Sequence, residues 1–305
     1  MDQGQQSIYA RELFTSLRDH VGHDPYAAVV VPWLSRAEVG YRGRLADATD
    51  RLCRETFDGP ATVRADLSWE LYALSRVSDV LLLPFQPPAA TAEEAPWARR
   101  VHPLDQRPGL DMTQYLQIFT QLGLAPFDET GTFDPFLHEV VEVEQAEDPD
   151  EPARVTGLVW PGLWLGRLLF SRAGVRIRAG VHHAERGVAD RSPLYWTFVR
   201  RHRPTVDLSH GWGHNSQWRT EFRLDYRTET GELVNADGCE DIDANEDVDF
   251  PSALLTPEER RHLVRNRCLL RTPVNASALA ATSSWEMELF PFDWRLPASE
   301  ARHSA

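Results

Sequence analysis

Cysteine is rare in this chain of 305 residues, and positive charge is outweighed by negative charge. The three cysteines, Cys53, Cys239 and Cys268, are an odd number without CxxC spacing, which excludes a fully paired disulfide framework. The formal net charge of -14 argues against a general nucleic-acid-binding protein, because such a protein needs a basic face that displaces counterions from phosphates. One basic run, RRHR at 200–203, leaves only a local phosphate contact open.

Long apolar runs and the short motifs of common enzymes are also missing. No segment reaches the ~20 apolar residues of a membrane-spanning helix, and the N-terminus lacks the basic head and apolar stretch of a secretory signal. We therefore expect a soluble, cytoplasmic protein that does not bind membranes. The chain has no GxSxG nucleophile motif and no GxxxxGK[ST] or GxGxxG phosphate loop, so we predict neither a standard nucleotide site nor a cofactor.

Hydrophobic residues make up 42% of the chain, and their spacing predicts helices in its first half. Apolar positions recur at helical spacing over 7–22, 67–83 and 111–122. Ser35 and Glu38 have the form of a capping box, which predicts a helix over 35–57 that ends at the sequence DGP. A threonine followed by proline predicts one more helix, over about 256–268.

Strand patterns dominate after residue 136. Runs of apolar residues bounded by turn residues predict short strands that we interpret as a small antiparallel unit, at 140–143, 155–160, 168–170 and 175–177. Further strands are predicted at 195–199 and 217–226. The predicted fold class is therefore α+β. The expected regions are a helical part (1–85), a Pro-rich linker or surface loop (86–110), a helix with the β unit (111–180) and a β-rich C-terminal extension with one helix (181–305).

A series of short motifs runs through residues 115–180. An amphipathic segment ends in LGL and is followed by GTFDP at 131–135, HE at 138–139, GLWLGR at 162–167 and RAGV at 172–175. Their order and spacing resemble the last long helix and the small β-domain of GrpE, the nucleotide exchange factor of Hsp70 chaperones. The chain departs from GrpE in having no sustained heptad run before residue 67 and a long extension after the β unit.

GrpE proteins bind the nucleotide-binding domain of Hsp70 through the β-domain and open its cleft so that ADP leaves, which requires no catalytic side chain. The resemblance therefore implies a non-enzymatic protein with an Hsp70-like protein partner. The chain is also compatible with a homo-oligomer. The partner contacts that the resemblance implies are Pro161, Trp164, Arg167 and Arg172.

An alternative function is carried by a loop rich in histidine and tryptophan at 207–219. Its side chains could bind a planar or anionic small molecule, as part of an enzyme or a ligand-binding protein. They are His210, Trp212, His214, Asn215, Trp218 and Arg219. The same pattern also suits a turn whose histidines bond to the backbone and whose tryptophans fill the core.

The same alternative could include a metal site. His182 and His183, together with His210 and His214, would offer imidazole ligands of the kind that zinc or non-haem iron accepts. Adjacent histidines on a strand point to opposite faces, and no HExxH helix is present, so the spacing itself does not identify a metal.

Overall fold

The computed structural model describes residues 9–37, 40–54, 57–86, 110–187, 189–190, 222–238, 242–243, 256–266 and 294–296. Helices form the N-terminal part. Their bounds are Ala10–Asp19 (α1), Val31–Ala37 (α2), Gly40–Leu52 (α3), Ala61–Leu82 (α4), Met112–Gln121 (α5) and Pro257–Asn266 (α6). A π-helical turn at Tyr26–Val30 precedes α2, and a 3-10 turn at Leu83–Phe85 follows α4. In the described part of the chain, none of the helices is both long and apolar enough to span a bilayer.

A capping box begins α5, whereas the capping box predicted from Ser35 does not form. The Asp111 carboxylate accepts the Gln114 amide at 2.8 Å, and the Gln114 side chain accepts the Asp111 amide in return. The cap predicted at Ser35 is wrong, because Ser35 lies inside α2 and its hydroxyl donates to the Val31 carbonyl. The helix observed in this region, α3, begins at Gly40 and ends at Leu52, whereas the predicted helix spans 35–57.

Two sheets make up the β-rich part, and the fold is α+β. The strands are Ala125–Phe127 (β1), His138–Gln145 (β2), Arg154–Trp160 (β3), Gly162–Leu165 (β4), Leu168–Ser171 (β5), Ala173–Ala179 (β6), Tyr226–Arg227 (β7) and Glu232–Leu233 (β8). The five-stranded sheet has the order β1-β4-β5-β7-β8, and the three-stranded sheet has the order β2-β6-β3. The prediction of a purely antiparallel unit is wrong, because β2 and β6 pair in parallel. Strands β3 to β5 provide the crossover that such a pair requires.

The largest apolar cluster joins the helices to the five-stranded sheet. It contains Leu13 of α1, Leu74 of α4, Phe119 of α5 and Leu168 of β5, each fully buried. The ring of Phe119 lies 5.7 Å from that of Phe170 on β5. Helices α1 to α5 and this sheet therefore bury one shared core. The region boundaries at 85, 110 and 180 stay a prediction, and the linker at 87–109 lies outside the described residues.

Three of the four outer strands carry features that oppose the addition of another strand. The outer strand β1 is three residues long and has Pro126, which has no amide hydrogen, at its centre. At the other end of the same sheet, β8 is only two residues long. In the three-stranded sheet, β3 has two register shifts against β6 and is followed directly by Pro161. Bulges, prolines and short strands are the usual protection of sheet edges.

Asp225 ties the segment before β7 to the rest of the β-rich part. Its carboxylate accepts hydrogen bonds from Arg172 and Arg223, both at 2.8 Å, and from the Asn235 amide at 2.7 Å. The Arg223 guanidinium also donates to the Val264 carbonyl in the last turn of α6. Asp225 is 1% exposed, and the other members of this ion-paired cluster are also buried.

Asn235 connects this cluster to the segment at 294–296. Its side-chain amide donates to the Trp294 carbonyl, and Leu296 forms a bridge with Val234. Trp294 and Leu296 are both buried. Leu296 is therefore held in the fold by this bridge. The strand predicted at 195–199 lies outside the described residues, and the one at 217–226 contributes only Tyr226 to β7.

The N-terminus of α1 is capped by a residue of another helix. Tyr9 offers no side-chain cap, and the Glu70 carboxylate of α4 instead accepts the Ala10 amide at 2.6 Å and the Tyr41 hydroxyl at 2.5 Å. Burial raises the pKa of the Glu70 carboxyl above its ordinary value of 4.5, and the two hydrogen bonds oppose that rise. One carboxylate thus joins α1, α3 and α4.

Substituting Asp225→Asn is expected to destabilise the fold by about 3 kcal/mol, because two buried guanidinium groups lose their counter-charge. Urea unfolding followed by circular dichroism measures this change. Asp243→Asn is the matched control, since Asp243 forms an exposed ion pair with Arg261 at 2.7 Å and should cost about 1 kcal/mol or less. Equal losses in the two variants would contradict the assigned role of Asp225.

The Glu70 carboxyl makes stability depend on pH in a defined direction. Its folded pKa is raised, so its contribution is fully present below about pH 4.5 and is lost as the pH rises through the folded pKa. Relative to Glu70→Gln, the wild-type free energy of unfolding should therefore fall as the pH increases. Urea unfolding of both proteins across this range tests the expectation, and parallel pH profiles would refute it.

Candidate functional site

The four contacts predicted from the GrpE resemblance lie in or beside the β4–β5 hairpin. Pro161 directly precedes β4, Trp164 lies within it, Arg167 follows the Gly166 turn, and Arg172 separates β5 from β6. Pro161 and Trp164 are half-buried and Arg167 is exposed. The hairpin therefore brings three of the four to the protein surface, each in a different environment.

Arg172 is not at the surface. Its side chain is 5% exposed and is ion-paired with Asp225, while its Nε donates to the Pro135 carbonyl at 3.1 Å. A buried arginine with these partners holds the loop before β2 against β7. Arg172 therefore has a structural role, and its part in partner binding stays a prediction.

Arg167 is engaged by the helical part of the same chain. Its guanidinium donates to the Cys53 carbonyl, just beyond α3, at 2.7 Å. Gly166 has a φ of 56°, and a Cβ added there would lie 3.3 Å from the Thr49 side chain of α3. An arginine on the last carbonyls of a helix is favourable for the helix dipole. The hairpin turn is thus docked on α3.

Two further glycines of the GrpE-like motifs have packing roles. A Cβ at Gly162 would overlap the Phe127 ring, and a Cβ at Gly174 would overlap the indole of Trp160. Both positions allow an aromatic side chain to lie directly on backbone. These motif glycines are therefore explained by the close packing of the β unit itself.

Trp164 is the centre of an aromatic patch that the sequence did not reveal as a unit. Its ring centre lies 5.6 Å from that of Phe127 on β1 and 6.2 Å from that of Phe136. The Arg227 guanidinium also lies 4.6 Å from the Trp164 ring centre, within the range of a cation–π contact. The Arg227 side chain is 42% exposed. We call Phe127, Trp164 and Arg227 the Trp164 patch.

Glu232 completes the electrostatics of the Trp164 patch. It accepts a hydrogen bond from Arg227 at 3.3 Å across the β7–β8 ladder. Burial raises the pKa of the Glu232 carboxyl, Asp134 raises it further, and Arg227 opposes the shift. Nothing in the spacing of the sequence links residues 127, 164 and 227, because β1, β4 and β7 meet only through the order of the sheet.

The predicted histidine ligands do not form a metal site in the part of the chain that is described. His182 Nδ1 lies 2.7 Å from an Asp150 carboxylate oxygen, and His183 Nε2 contacts the Asp150 carbonyl at 3.1 Å. Within the described ranges, no three His, Cys, Asp or Glu side chains converge as metal ligands would. His210 and His214 lie outside the described residues, as do Trp212, Asn215, Trp218 and Arg219.

The buried His138 has a structural role. The Asp134 amide donates to Nδ1 at 2.9 Å, and Nε2 lies 2.6 Å from the Glu129 carbonyl. These contacts assign a neutral ring with the hydrogen on Nε2, which closes the loop before β2. The HE motif thus stabilises the entry to the three-stranded sheet.

Comparison with known proteins gives no relative for this chain: it matches no protein-family model, no curated protein and no solved structure. The resemblance of residues 115–180 to GrpE therefore stays a prediction. The function has to be inferred from the residues that the fold brings together.

Cys53 lies beside the docked hairpin turn and is unsuited to nucleophilic chemistry. It is 2% exposed, and burial raises the pKa of its thiol to about 12, although the nearby Arg167 charge opposes the shift. At about pH 8 a thiol with such a pKa is ionised in roughly one molecule in ten thousand. The thiolate required for attack is therefore essentially absent.

In a Cys239→Ser, Cys268→Ser background, Cys53 should resist Ellman's reagent in the folded protein and react at once in denaturant. The burial and the raised thiol pKa both predict this difference. Absorbance of the released thiolate measures the rate. Rapid reaction under native conditions, at a rate that does not change on adding urea, would contradict the buried position.

Proposed function

We propose that this chain is a non-enzymatic, partner-binding protein of GrpE-like type that promotes nucleotide release from an Hsp70-like protein. The proposal includes a cytoplasmic location, where such a partner would be met. Exchange of this kind requires only that the protein bind the open state of its partner better than the closed state. The Trp164 patch is the proposed centre of the contact.

The observation that carries this proposal is the arrangement of Trp164. A half-buried indole, in contact with both the Phe127 ring and the Arg227 guanidinium, offers an apolar surface beside a positive charge. Tryptophan and arginine are the residues most often found at the energetic centres of protein interfaces. Because the fold already holds both side chains in place, binding would cost little further side-chain entropy.

The outer strands β1 and β3 are poorly suited to pairing with another strand, which supports a partner contact made by side chains. Strand addition through β1 is opposed by Pro126, and addition through β3 is opposed by its two register shifts. The exposed part of the Trp164 patch remains accessible on the sheet that contains β1 and β4. Arg167 is a secondary candidate, since using it for a partner would require it to leave the Cys53 carbonyl.

Substituting Arg227→Ala is expected to weaken binding to an Hsp70 nucleotide-binding domain by about 10- to 100-fold, the range of a central interface arginine. Biolayer interferometry measures the affinity, and stopped-flow release of a fluorescent ADP measures exchange. Arg227 is preferred to Trp164 and Arg167 for this test, because alanine at the latter two also removes packing or a helix contact within the chain.

Arg176→Ala is the matched control. Arg176 is also an arginine on a strand, is 52% exposed and pairs with Glu142 at 3.2 Å, but it belongs to the three-stranded sheet. It should leave both affinity and ADP release within about two-fold of the wild type. Equal behaviour of the two variants would remove the Trp164 patch from the proposal, and a wild-type chain that fails to bind would remove the Hsp70-like partner.

A further inference from the structure

Glu232 is a hydrogen-bonded partner of Arg227, whose guanidinium lies over Trp164. The two residues face each other in the β7–β8 ladder, with Arg227 Nε 3.3 Å from Glu232 Oε1. The hairpin between them is closed by the Thr228 amide, which donates to the Gly231 carbonyl at 2.7 Å. A short, closed hairpin leaves Glu232 as the group that decides where the Arg227 guanidinium lies.

The groups around Glu232 make its carboxyl easier to protonate than an ordinary glutamate carboxyl. The charged groups around it are Asp134 in the loop before β2, Arg227 on β7 and Arg172 between β5 and β6. Arg172 is committed to Asp225 at 2.8 Å, which leaves Arg227 as the hydrogen-bonded partner of Glu232. Burial and then Asp134 raise the pKa of Glu232 above its ordinary value of 4.5, against the opposing effect of the arginines.

We propose that Glu232 is a proton-operated latch, which positions Arg227 over Trp164 when ionised and releases Arg227 when protonated. Ionised, the carboxylate makes a charge-assisted hydrogen bond to the guanidinium. Protonated, it no longer attracts the guanidinium, and the Arg227 side chain, already 42% exposed, can move into water. The latch is a property of this chain alone, whereas its effect on partner binding rests on the proposed function.

The direction of the switch follows from the electrostatics. A folded carboxyl with a raised pKa takes up its proton above pH 4.5, so the latch should open as the pH falls toward that value from neutrality. Loss of the guanidinium from the indole face changes the field at the ring. Trp164 itself is therefore the natural reporter.

Fluorine NMR of the full chain labelled with 5-fluorotryptophan tests the latch without any partner. The Trp164 resonance is assigned from a Trp164→Phe spectrum and followed as the pH is lowered. In the wild type it should titrate with a midpoint above pH 4.5. In Glu232→Gln it should not titrate, and Arg227→Gln, which removes the other half of the latch, should abolish the titration as well.

Glu229→Gln is the matched control, because Glu229 lies in the same hairpin and is exposed. The Trp164 resonance of Glu229→Gln should titrate as it does in the wild type. A Trp164 resonance that still titrates in Glu232→Gln, or that is stationary in the wild type, would overturn the latch.

A second measurement separates the latch from the proposed function. The affinity for the Hsp70 nucleotide-binding domain should fall with the pH in the wild type, and the pH-dependent step should be missing in Glu232→Gln. A Trp164 titration without any binding would overturn the proposed function and leave the latch in place. Binding without a Trp164 titration would overturn the latch and leave the proposed function in place.

Discussion

Asp225 places a full negative charge at a position that is 1% exposed, and the chain compensates it with two arginines and a backbone amide. Each of these donors belongs to a different part of the structure. Arg172 connects it to the turn between β5 and β6, Arg223 to the end of α6, and Asn235 to Trp294. Desolvating these charges is costly, so the cluster is stable only when all members are in place. The C-terminal segments are therefore held against the β-rich part as one interdependent unit.

The two sides of the β4–β5 hairpin make different contacts. On one side its turn docks on α3 through Arg167 and Gly166, and on the other its Trp164 remains half-buried beside Phe127 and Arg227. The first contact fixes the hairpin to the helical core and so makes the second surface rigid. A rigid aromatic–guanidinium pair suits recognition of a protein surface. This division explains why residues close together in one motif have unlike environments.

Features that depend on neighbouring residues could be predicted from the sequence, and those that depend on distant pairing could not. The cap of α5 follows from Asp111 and Gln114 alone, and the apolar spacing of α4 identifies its buried face. Ser35 carries the same local signal as a true cap, but α2 continues through it. The parallel pairing of β2 with β6 and the meeting of Phe127, Trp164 and Arg227 depend on sheet order, which no local pattern encodes.

The protection of the outer strands β1 and β3 has a consequence for how partner recognition would evolve. Recognition through a sheet edge uses backbone amides, which every residue supplies, so it tolerates wide variation in the partner. A contact made by Trp164 and Arg227 uses particular side chains, and a single substitution on either protein can abolish or redirect it. With Pro126 in β1 and the shifted register of β3 closing those edges, the chain would favour a narrow choice of partner. A change of partner would then require particular substitutions, and few intermediate variants would bind both the old and the new partner.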